Sequence, residues 1–141
     1  MSHSNIEQFD LIVGKTFAVL YQSFPLQKFI EVGHILDPKT AFTEDGNYGT
    51  VLTEEGEFCR ACFDWITEAG YVSGTVDYRS GTLTKAVLTA KGLETLKAIP
   101  GSLQASLGDR MVDAAKAEGR ELLRSLASQA LGVGLQLLTP R

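Results

Sequence analysis

The chain has 141 residues, 44% of them hydrophobic, and a formal net charge of −4. The length suits one domain, and the composition supports a packed core, which argues against a disordered chain. The negative charge argues against a protein held to nucleic acid by overall electrostatic attraction, so only a local basic patch would serve that role.

The first predicted element is a helix that ends near Ser23. Ser4 and Glu7 have the spacing of a capping box, in which each side chain accepts a hydrogen bond from the other residue's backbone amide. Pro25 then ends the helix. An apolar stripe runs along it at steps of three and four residues: Ile6, Phe9, Val13, Phe17, Leu20 and Phe24.

The segment 26–52 has no single strong pattern. Residues 26–36 suit either a short strand or the start of a helix, and Gly33 interrupts both. Asp37-Pro38 ends this element, because proline disfavours the helical conformation of the residue before it. Turn-forming residues concentrate in 39–52, which we expect to be a loop.

A second well-marked helix begins after Thr53. This threonine is a suitable N-cap, and three glutamates lie in the first turn, where the helix dipole favours carboxylates. Gly70 suits the left-handed position just beyond the helix end. The apolar positions predict an inward face made of Phe58, Ala61, Cys62, Trp65, Ile66 and Ala69.

A β-hairpin follows this helix. Residues 71–76 and 82–88 are rich in β-branched side chains, and their five-residue connection contains Gly81. Thr89 then caps a short helix, which Pro100 closes. The predicted order is therefore helix, hairpin and helix.

Two runs of residues stand at the two ends of this hairpin. The first, W-I-T-E-A-G-Y-V over 65–72, ends a helix with glycine and continues with an aromatic residue; the second is L-T-A-K-G over 88–92. Over 53–97 the chain resembles winged-helix proteins, most closely the MarR- and PadR-type bacterial regulators, in which L-T-x-K-G opens the helix after the wing. The resemblance implies an α+β, mostly α fold, with a winged-helix domain over 1–99 and a helical extension over 100–141.

The resemblance also implies a role as a DNA-binding transcriptional regulator. The helix over 54–69 would enter the major groove, and the hairpin would be the wing beside it. The candidate DNA contacts are Arg60 on the helix, Arg79 at the wing tip and Lys85 on a wing strand.

The exposed side of that helix is acidic, which favours a second interpretation. Glu57, Asp64 and Glu68 outnumber Arg60 there, whereas helices that enter the major groove usually present basic or amide side chains. The alternative is a winged-helix protein-interaction module that does not bind DNA, because an acidic face attracts a basic protein and repels phosphates.

A last long helix is expected to start near Asp109, with Ser106 as a candidate cap. In the resembled regulators the terminal helices build a dimer, so we expect a homodimer through this helix. The alternative is that the helix folds back on its own domain. The candidate dimer contacts are Met111, Ala115, Gly119, Leu122, Leu126, Ala130, Val133 and Leu137.

Cys59 and Cys62 form a C-x-x-C motif, which suggests redox or metal chemistry. The pair lies inside a helix rather than at its start after a strand, and a zinc site would need two more ligands. His34 would supply one of them at most. No serine or cysteine pairs with a histidine in a catalytic pattern. We therefore expect two packed thiols, no metal or cofactor, and a protein that is not an enzyme.

No stretch reaches the roughly 18–20 apolar residues that span a bilayer. The nearest is 125–138, which is uncharged but short and contains Ser128, Gln129 and Gln136. The first residues lack the pattern of a signal peptide. We expect a cytoplasmic protein, with membrane contact by the C-terminal segment as a minor alternative.

Overall fold

The computed structural model describes residues 4–99 and 105–138, and for 137 and 138 the backbone alone. The described chain is an α+β structure that is about 60% helical. Its helices are α1 (Asn5–Ser23), α2 (Val32–Ile35), α3 (Pro38–Ala41), α4 (Glu54–Glu68), α5 (Ala90–Lys97), α6 (Leu107–Lys116) and α7 (Arg120–Leu138). Its strands are β1 (Lys28–Glu31), β2 (Phe42–Asp45), β3 (Gly49–Leu52), β4 (Val72–Asp77) and β5 (Thr82–Leu88).

Helix α1 starts and ends where the sequence predicts. The Ser4 hydroxyl accepts from the Glu7 amide at 3.1 Å, and the Glu7 carboxylate accepts from the Ser4 amide at 3.3 Å, which confirms the capping box. The apolar stripe is buried only in its middle. Val13 and Phe17 are in the core, whereas the side chain of Ile6 is 62% exposed.

The segment 26–52 is more ordered than predicted. Its first part is strand β1 followed by the single helical turn α2. The strand and the helix, which the sequence left as alternatives for 26–36, therefore both occur, one after the other. The prediction of a loop over 39–52 is wrong. Helix α2 ends at Ile35, before Asp37-Pro38, as predicted. Pro38 also begins the turn α3, which Asp37 caps by accepting from the Lys39 amide at 2.9 Å. Strands β2 and β3 then pair in an antiparallel hairpin, and the turn residues occupy only its tip.

The hairpin predicted over 71–76 and 82–88 is confirmed as β4 and β5, and β1 adds a third strand to it. The strand order is β1-β5-β4, with β5 in the middle and both pairs antiparallel. Both pairings shift register beside Lys85, whose φ is +54°. A β-bulge therefore lies in the central strand, and it turns the exposed Lys85 side chain away from the regular pleat.

Helix α4 is rotated relative to the prediction. Thr53 caps it and Gly70, at φ +89°, lies just past its end, as expected. Its buried residues, however, are Gly56, Cys59, Cys62, Phe63 and Ile66. Apolar residues surround most of this helix, so spacing alone did not reveal which part faces the core. Phe58 is half-buried, while Ala61 and Trp65, both predicted inward, are exposed.

The L-T-A-K-G run has a structural role at the end of α4. The Thr89 hydroxyl donates to the Gly70 carbonyl at 2.5 Å and accepts from the Gly92 amide at 3.0 Å. Lys91 Nζ donates to the Ala69 carbonyl at 2.9 Å. A Cβ at Gly92 would overlap the Tyr71 carbonyl oxygen. The run therefore joins the start of α5 to the carbonyl groups that α4 leaves unpaired.

The prediction of a single long C-terminal helix is wrong, because the chain forms two helices there. Ser106 caps α6 through the Asp109 amide at 3.1 Å, as proposed. The helix ends at Lys116, and Glu118 takes the left-handed φ of +57° before α7 begins. Both helices pack on α1 and on each other. Residues on the two sides of the predicted boundary at 99–100 therefore share one core.

Two glycine substitutions test these packing contacts. Gly92→Ala is expected to lower the free energy of unfolding by about 1–3 kcal/mol, because its Cβ meets the Tyr71 carbonyl. Gly132→Ala lies in the exposed middle of α7, where no atom of the described residues beyond the helix's own backbone comes within 4 Å of the added Cβ, and is expected to raise it by up to about 1 kcal/mol. Urea denaturation followed by circular dichroism measures both. Equal effects of the same sign would contradict the close approach at Gly92.

Candidate interaction surface

Arg60, the predicted DNA contact on α4, is held against the tip of the β4–β5 hairpin. Its Cζ lies 4.1 Å from the centroid of the Tyr78 ring, and its Nη1 donates to the Tyr78 carbonyl at 3.3 Å. Its Nε is buried and has no hydrogen-bond partner among the described residues. Arg60 is thus engaged within the protein in a cation–π contact, and reaching a phosphate would require breaking that contact.

Arg79 and Lys85, the other two predicted DNA contacts, are both exposed on the β4–β5 hairpin. The tip of this hairpin is folded around Asp77. Hydrogen bonds from Ser80 and from the Arg79 amide hold the pKa of the Asp77 carboxyl below its usual value. Lys85 lies in the bulge, three residues along β5 from Thr82 and so roughly 10 Å from the start of that strand. The structure therefore brings Arg60 and Arg79 to the tip of the β4–β5 hairpin and leaves Lys85 nearer its base.

The exposed part of α4 is strongly acidic. Five carboxylates lie on this helix against one guanidinium, that of Arg60. Asp64 is half-buried, and the other four carboxylates are exposed: those of Glu54, Glu55, Glu57 and Glu68. This charge repels a phosphate backbone and attracts a basic protein surface.

An apolar groove lies between the start of α1 and the outer side of α4, and we name it the α1–α4 groove. It has a volume of about 380 Å³. Phe9 and Trp65 meet edge to face in it, with ring centroids 5.2 Å apart. Trp65 is 47% exposed. The groove is lined by Asn5, Ile6, Phe9, Phe58, Ala61, Cys62 and Trp65.

The α1–α4 groove was not predicted, because Phe58, Ala61 and Trp65 were placed on the inward face of α4. A signal was present in the sequence. Phe63 and Cys59 continue the apolar positions of α4 around the helix, so its apolar arc is wider than one inward face requires. An arc of that width predicts that some apolar side chains stay uncovered.

Two further clefts have walls of mixed charge. One, of about 400 Å³, lies between α1, α2 and the turn from α6 to α7. In it Lys15 Nζ donates to the Ile35 carbonyl at 3.1 Å, and burial, then the nearby Arg120, lowers the pKa of Lys15. The other, of about 480 Å³, lies between the three-stranded sheet and the β2–β3 hairpin, with Glu31 and Arg79 in its lining. Charged side chains distinguish both clefts from the α1–α4 groove.

Cys59 and Cys62 are free thiols in the core. Burial raises the pKa of the Cys62 thiol to about 12 and raises that of Cys59 as well. His34 lies on the surface, where its Nδ1 accepts from the Glu31 amide at 3.1 Å. Across the described ranges no group of three or more histidine, cysteine or acidic side chains could hold a metal ion.

The predicted dimer contacts divide into buried and accessible residues. Met111, Leu126 and Ala130 are buried in the core of the chain itself, so they are not available to a partner. Helices α6 and α7 pack on α1 of their own chain, which is the arrangement that the sequence left open as the alternative to a dimer helix. Leu122 is 44% exposed. The remaining described contacts, Ala115, Gly119 and Val133, are half-buried, and the side chain of Leu137 lies outside the described residues.

Within residues 4–99 and 105–138 no helix is long and apolar enough to cross a membrane. Comparisons of the chain with protein-family models, with curated proteins and with solved structures found no match. The interaction surface is therefore interpreted from its own geometry.

The thiols provide a test of the core around α4. Because burial shields Cys59 and Cys62 and a raised pKa leaves little thiolate, Ellman's reagent at about pH 8 should modify neither rapidly in the native protein. Both should react at once in denaturant. If either thiol of the native protein reacted as fast as an unprotected cysteine, this would show that α4 exposes a different face.

Proposed function

We propose that this protein is a non-enzymatic, winged-helix protein-interaction module that binds a partner through the α1–α4 groove. The helix–hairpin–helix order from α4 to α5 supports the winged-helix interpretation, as do the third strand beside the hairpin and the contacts of the L-T-A-K-G run.

The observation that carries this proposal is the exposed apolar surface of the α1–α4 groove. Ile6 is 62% and Trp65 47% exposed, and they lie in one concave site beside Phe9 and Phe58. Contiguous apolar surface with an aromatic residue is typical of protein-binding sites, where tryptophan often contributes much of the binding energy. A duplex backbone gains nothing from such a surface.

A capture experiment with three variants tests the proposal. The wild-type protein should retain a specific partner from a lysate of the producing cells, and Trp65→Glu and Ile6→Glu should lose it. Tyr48→Glu is the matched control, since Tyr48 is an aromatic residue, 73% exposed, in the turn between β2 and β3. Circular dichroism checks that each variant is folded. Equal retention by all variants, or no specific partner at all, would refute the proposal.

A DNA-binding transcriptional regulator is the second candidate, and the exposed positions of Arg79 and Lys85 on the wing favour it. In this proposal the wing, rather than α4, contacts phosphates, because Arg60 is engaged with Tyr78. A homodimer through the accessible part of the C-terminal helices, where Leu122 is 44% exposed, would place two wings on one duplex.

Fluorescence anisotropy with mixed genomic fragments at physiological salt separates the two candidates. The protein-interaction proposal predicts no saturable binding at about 1 μM protein, since non-specific binding to DNA at that salt typically has a Kd of about 1–100 μM. If binding does saturate there, Arg79→Ala and Lys85→Ala should each weaken it and reduce its salt dependence by about one unit of slope. Lys97→Ala, an exposed lysine of α5, serves as the control. Saturation that needs Arg79 and Lys85 would favour the regulator.

A further inference from the structure

The α1–α4 groove is the uncovered end of the protein core. The apolar stripe of α1 is buried at Val13 and Phe17, half-buried at Phe9 and 62% exposed at Ile6. Helix α4 runs beside these first turns and contributes Trp65 to the other wall. A partner that fills the groove would therefore extend the core outward.

The shape of the groove suits a helix. On α4 its lining runs from Phe58 to Trp65, which is about 10 Å, or two helical turns, along the axis. An amphipathic helix presents anchors at i, i+3 or i+4, and i+7 over the same length. Two helices form the walls, so a third packing between them would bury apolar side chains on both sides.

Carboxylates accompany the groove along α4. Glu54 precedes Phe58 by four residues, Glu57 precedes Ala61 by four, and Glu68 follows Trp65 by three. Residues at these separations are neighbours on a helix surface. All three carboxylates are exposed, so they border the groove with negative charge.

Two basic side chains near this region, Lys91 and Arg124, have partners within the protein. Lys91 donates to the Ala69 carbonyl and lies 4.2 Å from the centroid of the Tyr71 ring. Arg124 forms ion pairs with Glu7, at 3.5 Å, and with Glu121. The charge of Arg124 is balanced by these two carboxylates, whereas Lys91 keeps its charge at the C-terminal end of α4.

We propose that the occupant of the α1–α4 groove is an amphipathic helix of a partner protein, with basic residues along the borders of its apolar face. This inference rests on the proposed function and specifies the partner. Leucine-like anchors would contact Phe9 and Trp65, and lysine or arginine would meet Glu57 and Glu68. A second copy of the chain is a poorer occupant, because a two-fold contact would bring these same carboxylates together.

Trp65 is the only tryptophan of the chain, so its fluorescence reports directly on the groove. Three synthetic peptides of about 18 residues serve as probes, long enough for a marginally stable isolated helix. One is an amphipathic Leu/Lys helix, the second has Glu in place of Lys, and the third is the first with its residues shuffled. The Leu/Lys helix should shift Trp65 emission to shorter wavelength and saturate, at least tenfold more tightly than the other two.

Charge-reversal variants test the acidic border separately from the apolar lining. Glu57→Lys and Glu68→Lys should each weaken binding of the Leu/Lys helix by about two- to fivefold, as expected for exposed ion pairs, and strengthen binding of the Leu/Glu helix. Asp113→Lys, the same change of charge on the exposed surface of α6, should leave both affinities unchanged. Added salt should reduce the difference between the peptides.

Equal affinity for the Leu/Lys and Leu/Glu helices, or equal effects of Glu68→Lys and Asp113→Lys, would overturn the inference. A blue shift that grows with protein concentration alone, together with dimers in sedimentation, would assign the groove to a second copy. The two proposals fail separately. If a cellular partner is captured through Trp65 but the Leu/Lys helix does not bind, only this inference is refuted. If the Leu/Lys helix binds but no cellular partner is captured, the preference of the groove for a basic helix stands and the proposed function is refuted.

Discussion

The burial of α1 is the constraint on which the rest of the structure depends. Its middle turns are enclosed by α4 and β5 on one side and by α6 and α7 on the other. Gly14 allows close approach, since a Cβ there would lie 2.8 Å from the Leu123 side chain. The ring centroid of Phe17 lies 5.8 Å from that of Tyr71. Because elements from both halves of the chain cover α1, the C-terminal helices are part of the core.

The orientation of α4 follows from this arrangement and determines the candidate site. With Cys59 and Phe63 directed into the core, Trp65 remains on the outer surface against Phe9 and Tyr71. The contacts of Thr89 and Lys91 with the end of α4 hold the helix in this rotation. The same residues that carry the resemblance to regulators therefore have a structural explanation that is independent of DNA.

Charge and apolar surface both bear on function, and they favour the same partner. The acidic border of α4 repels phosphates, while the burial of a partner's apolar side chains in the groove beside it is favourable. Arg60, the one basic residue of α4, is engaged by Tyr78 at the tip of the β4–β5 hairpin. The DNA-binding candidate depends on the two exposed basic groups of this hairpin, Arg79 and Lys85.

Local sequence accounts for the ends of the helices and for the β4–β5 hairpin. The caps at Ser4, Thr53, Thr89 and Ser106 were predictable because each side chain bonds an amide three residues away. The rotation of α4 was not, because it depends on residues distant in the chain. The β2–β3 hairpin and the break near Glu118 are local features. They were missed because the turn residues of 45–49 suit a loop as well as a hairpin, and because a non-glycine residue takes the left-handed position at 118. Which part of a broadly apolar helix is buried is decided by what packs against it. The groove, formed where α1 and α4 meet, therefore exists only in the tertiary structure.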